Sequence, residues 1–426
     1  MSQSPLLSAD RLRFFFSQIK ERLWIKPLIL CALSIAGTFI ARLADDTGLS
    51  NVLPEVSMES VETLLAIMAS SMLIIATFTV GSMVAAYASA STGATPRSIP
   101  LVIADDVTQN ALSAFIGAFI FSIVALIAVQ NDRYESAGLF SIFVLTLLVF
   151  AIVIITFVRW VDRIARLGRV VNTIEKVEKV ACEALDRRRH APTLGALTAS
   201  LDQSTDKGVP VCSSTVGYVQ HVDLETLQSR AKSQDCKVVV TALPGTFVST
   251  HRPLILVEGC DSLQAEDFSS AFKIGPNREF EDDPRFGILA LSEIADKALS
   301  AGINDPGTAI NVIGTMVRLL TLWQSPLEEG RVKAITYDRV SVPELVTDDL
   351  FDDAFTAIAR GGAGMVEVSV RLQKAFHALA ETEESSMVAA AQRHSMMALS
   401  RSELAMSLQD DINTVRKIAA LSAARP

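Results

Sequence analysis

The stretch "AGLFSIFVLTLLVFAIVIITFV", residues 137–158, runs for 22 residues without a charged side chain. A helix rising 1.5 Å per residue needs about 20 apolar residues to cross the hydrocarbon core of a bilayer. This segment therefore reads as a transmembrane helix, and it decides how the rest of the chain is read. Three more runs of the same kind precede it. They are "WIKPLILCALSIAGTFIARL" at 24–43, the uncharged interval 63–96, and "VTQNALSAFIGAFIFSIVALIAV" at 107–129. Four such runs so close together are hard to place in a soluble protein.

Composition agrees. Half of the 426 residues are hydrophobic and only 20% are charged, with a mean hydropathy of +0.36. Average soluble domains carry more charge. The net charge of −9 falls mainly on residues 191–426, which disfavours a phosphate-backbone partner, so no nucleic acid is expected. Cys31, Cys182, Cys212, Cys236 and Cys260 are scattered, with no CxxC or Cys/His spacing. They read as reduced thiols and not as a zinc site or disulfide framework. No metal or other cofactor is expected. The first apolar run is followed by "ARLADD" and by further spans, which argues against a cleaved signal peptide.

Flanking charge sets the orientation. Arg11, Arg13, Lys20, Arg22 and Lys26 precede the first span, and Arg159, Arg163, Arg166 and Arg169 follow the fourth. Between spans one and two the charges are Asp45, Asp46, Glu55, Glu59 and Glu62. The positive-inside bias then puts both termini in the cytoplasm, with Trp24 and Trp160 at the same interface.

Span two is the most unusual of the four. Ser70, Ser71, Thr77, Gly81, Ser82, Ala85 and Ser89 give it a small and hydroxylated character. Such a face serves either close helix packing or the wall of a pore. Both readings stay open at this point. The spans carry no mid-depth acidic or basic side chain, so no proton relay is expected.

Beyond span four, "RWVDRIARLGRVVNTIEKVEKVACEALDRRR" keeps helical periodicity, with basic residues expected near the headgroups. The organisation reads as a segment 1–22, a four-helix membrane domain 23–158, a juxtamembrane helix and linker 159–200, a β-rich part 201–275 and a mainly helical part 276–426. In the β-rich part, Asp223 is an N-cap for "LETLQSRAKS", and "KVVVTAL" and "PLILVEG" are strands around a "PGTF" turn. That piece resembles a barrel-sandwich carrier domain, but a helix stands where the lysine-bearing hairpin would be. Covalent cofactor attachment is not expected. The fold class is thus a membrane α-helical bundle followed by an α+β cytoplasmic domain with a small barrel-sandwich-like β part.

The second candidate site lies in "REFEDDPRFG" and "ALSAGINDPGTAINVIG". The first supplies Arg278, Glu281, Asp282, Asp283 and Arg285, whose carboxylates suit a helix N-terminus and whose arginines can pair with them. The second supplies Asn304, Asp305 and Asn311. There a helix from Pro284 should end near Leu299, with Gly302 as a left-handed C-cap, and a new helix should start with Asp305 as N-cap and Pro306 at its first position. The helix between them spans more than about 20 Å, so one chain should not bring the two groups together to hold a divalent cation, whereas a neighbouring subunit could. His377 and His394 are expected to lack partners, and a single helix is expected from Ser385 to about Leu421.

"VTQNALSAFIGAFIFSIVAL", "STVGYVQHVDLETL", "PGTFV", "REFEDDPRFGILALSEIADKALS" and "GINDPGTAIN" together are similar to the domain-of-unknown-function family 2254 of bacterial predicted membrane proteins. The resemblance implies an inner-membrane protein with a helical bundle and a cytoplasmic domain. The family's pattern has proline where Ala301 stands. From these features a homo-oligomeric channel or transport-like protein regulated by its cytoplasmic domain is expected, with the lipid bilayer and further copies of itself as partners. The alternative is a non-conducting membrane scaffold or sensor that binds a ligand or partner protein. An enzyme is not expected, since no P-loop, nucleophile elbow or HExxH motif occurs.

Overall fold

The apolar runs form helices in the computed structural model, which describes residues 25–43, 54–93, 95–103, 106–131, 133–164, 169–199, 208–259, 265–327 and 334–423. Arg11, Arg13, Lys20, Arg22, Trp24, Asp45, Asp46, Asp105, Arg166 and Cys260 lie outside the described residues. The chain divides into two compact units, Met1–Asn172 and Thr173–Pro426.

In the first unit, helix α1 covers Ile25–Leu43, α2 Met58–Gly93, the short α3 Ile99–Ile103, α4 Asp106–Gln130 and α5 Ser136–Ile164. Among the described residues three helical stretches are long and apolar enough to cross a bilayer: Met58–Ser89, Val107–Gln130 and Ser136–Ile164. Helix α4 is the centre of the unit, packing against α1, α2 and α5. Its buried positions include Ala111, Ser113, Ala118, Ser122 and Ala125, small enough for neighbouring backbones to approach closely. The hydroxyls of Ser113 and Ser122 donate to the carbonyls of Gln109 and Ala118, one turn back. Each polar group is thereby satisfied inside its own helix, as an apolar surround requires. At one end Trp160 is buried and stands edge-on to Phe78 and Phe115, with ring centroids 6.1 and 6.4 Å away.

The second unit begins within α6, Val170–His190, followed by strands β1 (Ala196–Thr198), β2 (Val209–Cys212) and β3 (Gly217–Val222). Helix α7 (Leu224–Ser233) follows, then β4 (Lys237–Val240), β5 (Phe247–Val248), β6 (Pro253–Glu258), α8 (Ala265–Ser269) and β7 (Phe272–Gly275). The Asp223 cap is as expected, its carboxylate accepting from the Thr226 N–H at 3.0 Å. Helices α9 (Pro284–Ala298) and α10 (Pro306–Gln324) lead to β8 (Tyr337–Val342). Helices α11 (Thr347–Gly361), α12 (Val366–Ala380), α13 (Ser385–Ala405) and α14 (Gln409–Ala423) complete it.

The strands make a five-stranded sheet of order β1-β8-β4-β6-β2 and a three-stranded antiparallel sheet of order β5-β3-β7. Strand β8 lies parallel to both β1 and β4. It comes from "RVKAITYDRVSVP" (331–343), a strand-like stretch of the mainly helical part 276–426, beyond the β-rich part at 201–275. The larger sheet is therefore mixed and holds a distant strand in its interior, between β1 and β4, unlike a hairpin-built barrel-sandwich. Its core holds Val238, Val240, Leu254, Ile255 and Val340, with Leu227 and Ala231 of α7 among the same buried cluster.

The expected long final helix is instead two. Met406 is extended (φ −85°, ψ 138°) and buried, so the chain turns and α14 packs back on α12 and α13. The connection between α9 and α10 also departs from expectation. Gly302 does not take a left-handed conformation; Asn304 does, with φ +52°. Asparagine tolerates that region better than most side chains. The Asn304 and Asp305 N–H groups close the turn on the Ser300 and Ala298 carbonyls at 2.8 Å each.

Candidate functional site

The acidic stretch before α9 is built around one buried carboxylate. Asp283 is only 2% exposed and caps α9 by accepting from the Arg285 N–H at 3.2 Å, with Pro284 at the first helical position. Arg278 grips both of its oxygens, Nε to Oδ2 at 2.6 Å and Nη2 to Oδ1 at 3.0 Å. The guanidinium in turn lies 5.2 Å from the centre of the Phe286 ring, which itself stacks against Phe280 at 4.3 Å. Burial pushes the Asp283 carboxyl up, while Arg278 and the helix N–H groups pull it back toward ionisation.

Gly245, in the "PGTF" turn, presses directly on this carboxylate. Its φ is +90°, and a Cβ there would fall 2.2 Å from Asp283 Oδ2. The neighbouring acids are engaged as well. Asp282 Oδ2 stands 2.6 Å from His221 Nδ1 on β3, and the Glu281 carbonyl accepts from Arg187 of α6.

Arg285 leaves the cluster. Although it is adjacent in sequence to these acids, its side chain reaches α11, where Nη1 meets Asp349 at 2.6 Å and Nε meets Asp353 at 2.7 Å. The expected local pairing thus holds for Arg278 and fails for Arg285. On the same helix Arg393 takes Asp348 and Asp352. The four aspartates of "DDLFDD" are therefore held by two arginines, each bridging an i, i+4 pair, an arrangement that places two charges on each flank of α11.

The second group of candidate residues stands apart from it, at the other end of α9. Asp305 sits beyond the other end of α9 and caps α10, accepting from the Thr308 N–H at 3.1 Å and its hydroxyl at 2.6 Å. Those two hydrogen bonds hold its carboxyl below the ordinary aspartate range. Asn304 and Asn311 are exposed, as are Ala301, Gly302 and Ile303, so Asn311 needs no buried partner. Among the described residues no group of three or more His, Cys, Asp or Glu is placed to hold a metal ion.

Two features escaped sequence reading. The "DRRR" end of α6 reads in the sequence only as part of a helix leaving the membrane, yet Arg188 and Arg189 are 3% and 8% exposed within the second unit. Arg189 donates to the Ser325 carbonyl at 2.7 Å and Arg188 to that of Pro343 at 3.2 Å. Burial lowers Arg188 to about 10, with Glu344 and Asp282 opposing the shift. His394 was expected to be partnerless but is buried beside Asp352 and Arg393. Little local in the sequence marks either, because Ser325, Pro343 and Asp352 come from distant elements and only Arg393 is a sequence neighbour.

The span-two face has a different character. Ser70, Thr77, Gly81, Ala85 and Ser89 are exposed on the unit's surface, and Ser71 and Ser82 are half-buried. The unit's own packing uses another side of α2, where Val61, Leu65, Met68, Met72, Ala76, Thr79 and Met83 are buried. A Cβ added at Gly81 would meet nothing within 4 Å. The Ser70 and Thr77 hydroxyls donate to the Ala66 and Leu73 carbonyls, at 2.9 Å each. The small residues on this side of α2 are not spent on packing within the protomer, and Ile74 and Phe78, 69% and 64% exposed, interrupt their stripe.

Comparison with known proteins places these features in context. A family profile described as "Predicted membrane protein (DUF2254)" matches residues 20–378. An uncharacterised protein of Mycobacterium bovis is 29% identical over 115 residues, 25% of this chain and 22% of the relative. An uncharacterised protein of Mycobacterium tuberculosis matches to the same extent. The chain thus matches about a fifth of the length of these relatives. No solved structure matches.

Proposed function

We propose, starting from a chain that belongs to the DUF2254 family of predicted membrane proteins, a homo-oligomeric assembly in a bacterial inner membrane. In this reading α1 is a fourth span, both termini are cytoplasmic, and the second unit is a cytoplasmic domain that regulates a channel or transport-like pathway. The observation that carries it is the outward small-residue side of α2: Ser70, Thr77, Gly81, Ala85 and Ser89. Helices in lipid associate through van der Waals contact, and small residues allow the closest approach. A protomer that buries Met68 and Met72 and leaves Gly81, Ala85 and Ser89 outside, beyond the bulkier Ile74 and Phe78, has a surface suited to a second copy. A four-helix protomer also has little room for a pathway of its own, so a shared axis suits transport. The reading assigns no catalytic step.

A second reading, a non-conducting scaffold or sensor, draws on the exposed turn between α9 and α10. Ile303, Asn304, Asp305 and Asn311 are all presented outward there, as a contact for a partner protein would need. Particle mass separates the two readings. Light scattering or native mass spectrometry of the full chain in nanodiscs is expected to give a whole-number multiple of the protomer mass, and Ala85→Trp is expected to shift it toward one protomer. A monomer in the wild-type sample would favour the sensor.

A further inference from the structure

The helical side of the second unit holds a titratable group that the proposed function leaves unused. His394 of α13 is 2% exposed, with its ring among those of Phe351, Phe355 and Phe376 at centroid distances of 5.6, 6.5 and 6.1 Å. Its Nε2 lies 3.0 Å from Arg393 Nη2 and 3.1 Å from Asp352 Oδ1. The same guanidinium holds Asp348 at 2.8 Å and Asp352 at 3.0 Å. A guanidinium only donates hydrogen bonds and a carboxylate only accepts them, so the Arg393 contact uses a lone pair on Nε2 and the Asp352 contact uses an N–H there. A neutral ring with its proton on Nδ1 keeps the Arg393 bond, and an Nε2–H keeps the Asp352 bond.

That geometry has a second state. A proton arriving on Nε2 turns the acceptor into a donor, removes the bond from Arg393 and leaves two cations in contact. The new N–H then points to Asp352, already within reach, and competes with Arg393 for it. The charged groups around the ring are Asp348 and Asp352 from α11 and Arg393 from α13, while α12 contributes the Phe376 ring. Asp349 and Asp353 are held by Arg285.

We propose that His394, Arg393 and Asp352 form a proton-operated latch between α11 and α13, closed while His394 is neutral and released when it is protonated. Burial pushes His394 down from its ordinary value, Arg393 pushes it further, and Asp352 and Asp348 pull it back. With the folded value below the unfolded one, near 6.5, the unfolded state binds more protons in the window between them. The stabilising contribution is fully present above about pH 6.5 and is lost as the pH falls through the folded value.

Hydrogen exchange of the full chain in nanodiscs, corrected for intrinsic rates, tests this. Between about pH 7.5 and 5.5, peptides covering 347–361 and 385–405 are expected to lose protection, by up to about tenfold per pH unit for one proton taken up. Peptides covering 237–258 should hold theirs. His394→Phe, which keeps an aromatic ring in place, should abolish the acid loss in 347–361 and 385–405. An equal acid loss in His394→Phe, or none in the wild type, would overturn the latch. Should that variant fail to fold, nitrogen-15 spectra of histidine-labelled wild type decide. Of its five histidines, one should hold an Nδ1–H tautomer at neutral pH and titrate below about 6.5. Five that all titrate at or above that value would contradict the proposal.

Discussion

Asp283→Ala is expected to destabilise the second unit by about 3–5 kcal/mol, the usual cost of removing one partner from a buried ion pair. The magnitude follows from what remains behind. Arg278 has 15% of its side chain exposed and grips Asp283 through two nitrogens, so without the carboxylate its charge stays largely desolvated. The α9 cap is lost at the same time, itself worth about 1 kcal/mol. Asp283→Asn should cost less, since an amide oxygen can still cap the helix while the charge pairing is gone. The measurement is hydrogen exchange across 284–298 in the intact chain, because two units unfolding separately give no single transition. Unchanged protection in Asp283→Ala would show that the cluster does not hold α9.

Gly245→Ala should cost about 3 kcal/mol, from two sources that act together. A residue with a side chain held at a sparsely populated φ costs about 1–3 kcal/mol, and overpacking a filled site costs about 1–3 more. Here φ is +90° and the added Cβ would fall 2.2 Å from Asp283 Oδ2, with the carboxyl carbon 2.6 Å away. The carboxylate cannot swing aside without releasing Arg278 and the helix cap. The two substitutions should therefore be non-additive: with Asp283→Ala in place the steric part of the Gly245→Ala penalty disappears, leaving only the backbone part. A coupling of about 1–3 kcal/mol in the double-mutant cycle is the expected sign of direct contact. Strict additivity would place the strain elsewhere.

What the sequence disclosed and what it withheld divide along the range of the interactions. The apolar runs, the Asp223 and Asp305 caps and Pro306 at a helix start are all legible, because each is decided within one or two turns of chain. The pairing of β8 with β1 and β4 is not. Parallel strands joined by long connections leave no local mark of which edge they will join. Arg285 illustrates the same limit, since its partners lie 64 and 68 residues away, farther along the chain than the acids beside it. The left-handed residue in the α9–α10 turn was assigned to Gly302 on propensity, whereas the hydrogen bonds of the turn select Asn304. Helix α2 is apolar all round, and periodicity then says little about which side meets a neighbour. Its small-residue side was legible as a feature, and its exposure only from the packing of α4.

The proposed transport role stands or falls on permeability. The full chain reconstituted into liposomes loaded with a mixture of small ions, and followed by flux and by single-channel recording, is predicted to conduct or leak selectively. Ala85→Trp, which fills the small-residue side of α2, is predicted to abolish that signal. Vesicles that hold the protein at normal density yet remain electrically silent and impermeable would contradict the channel account.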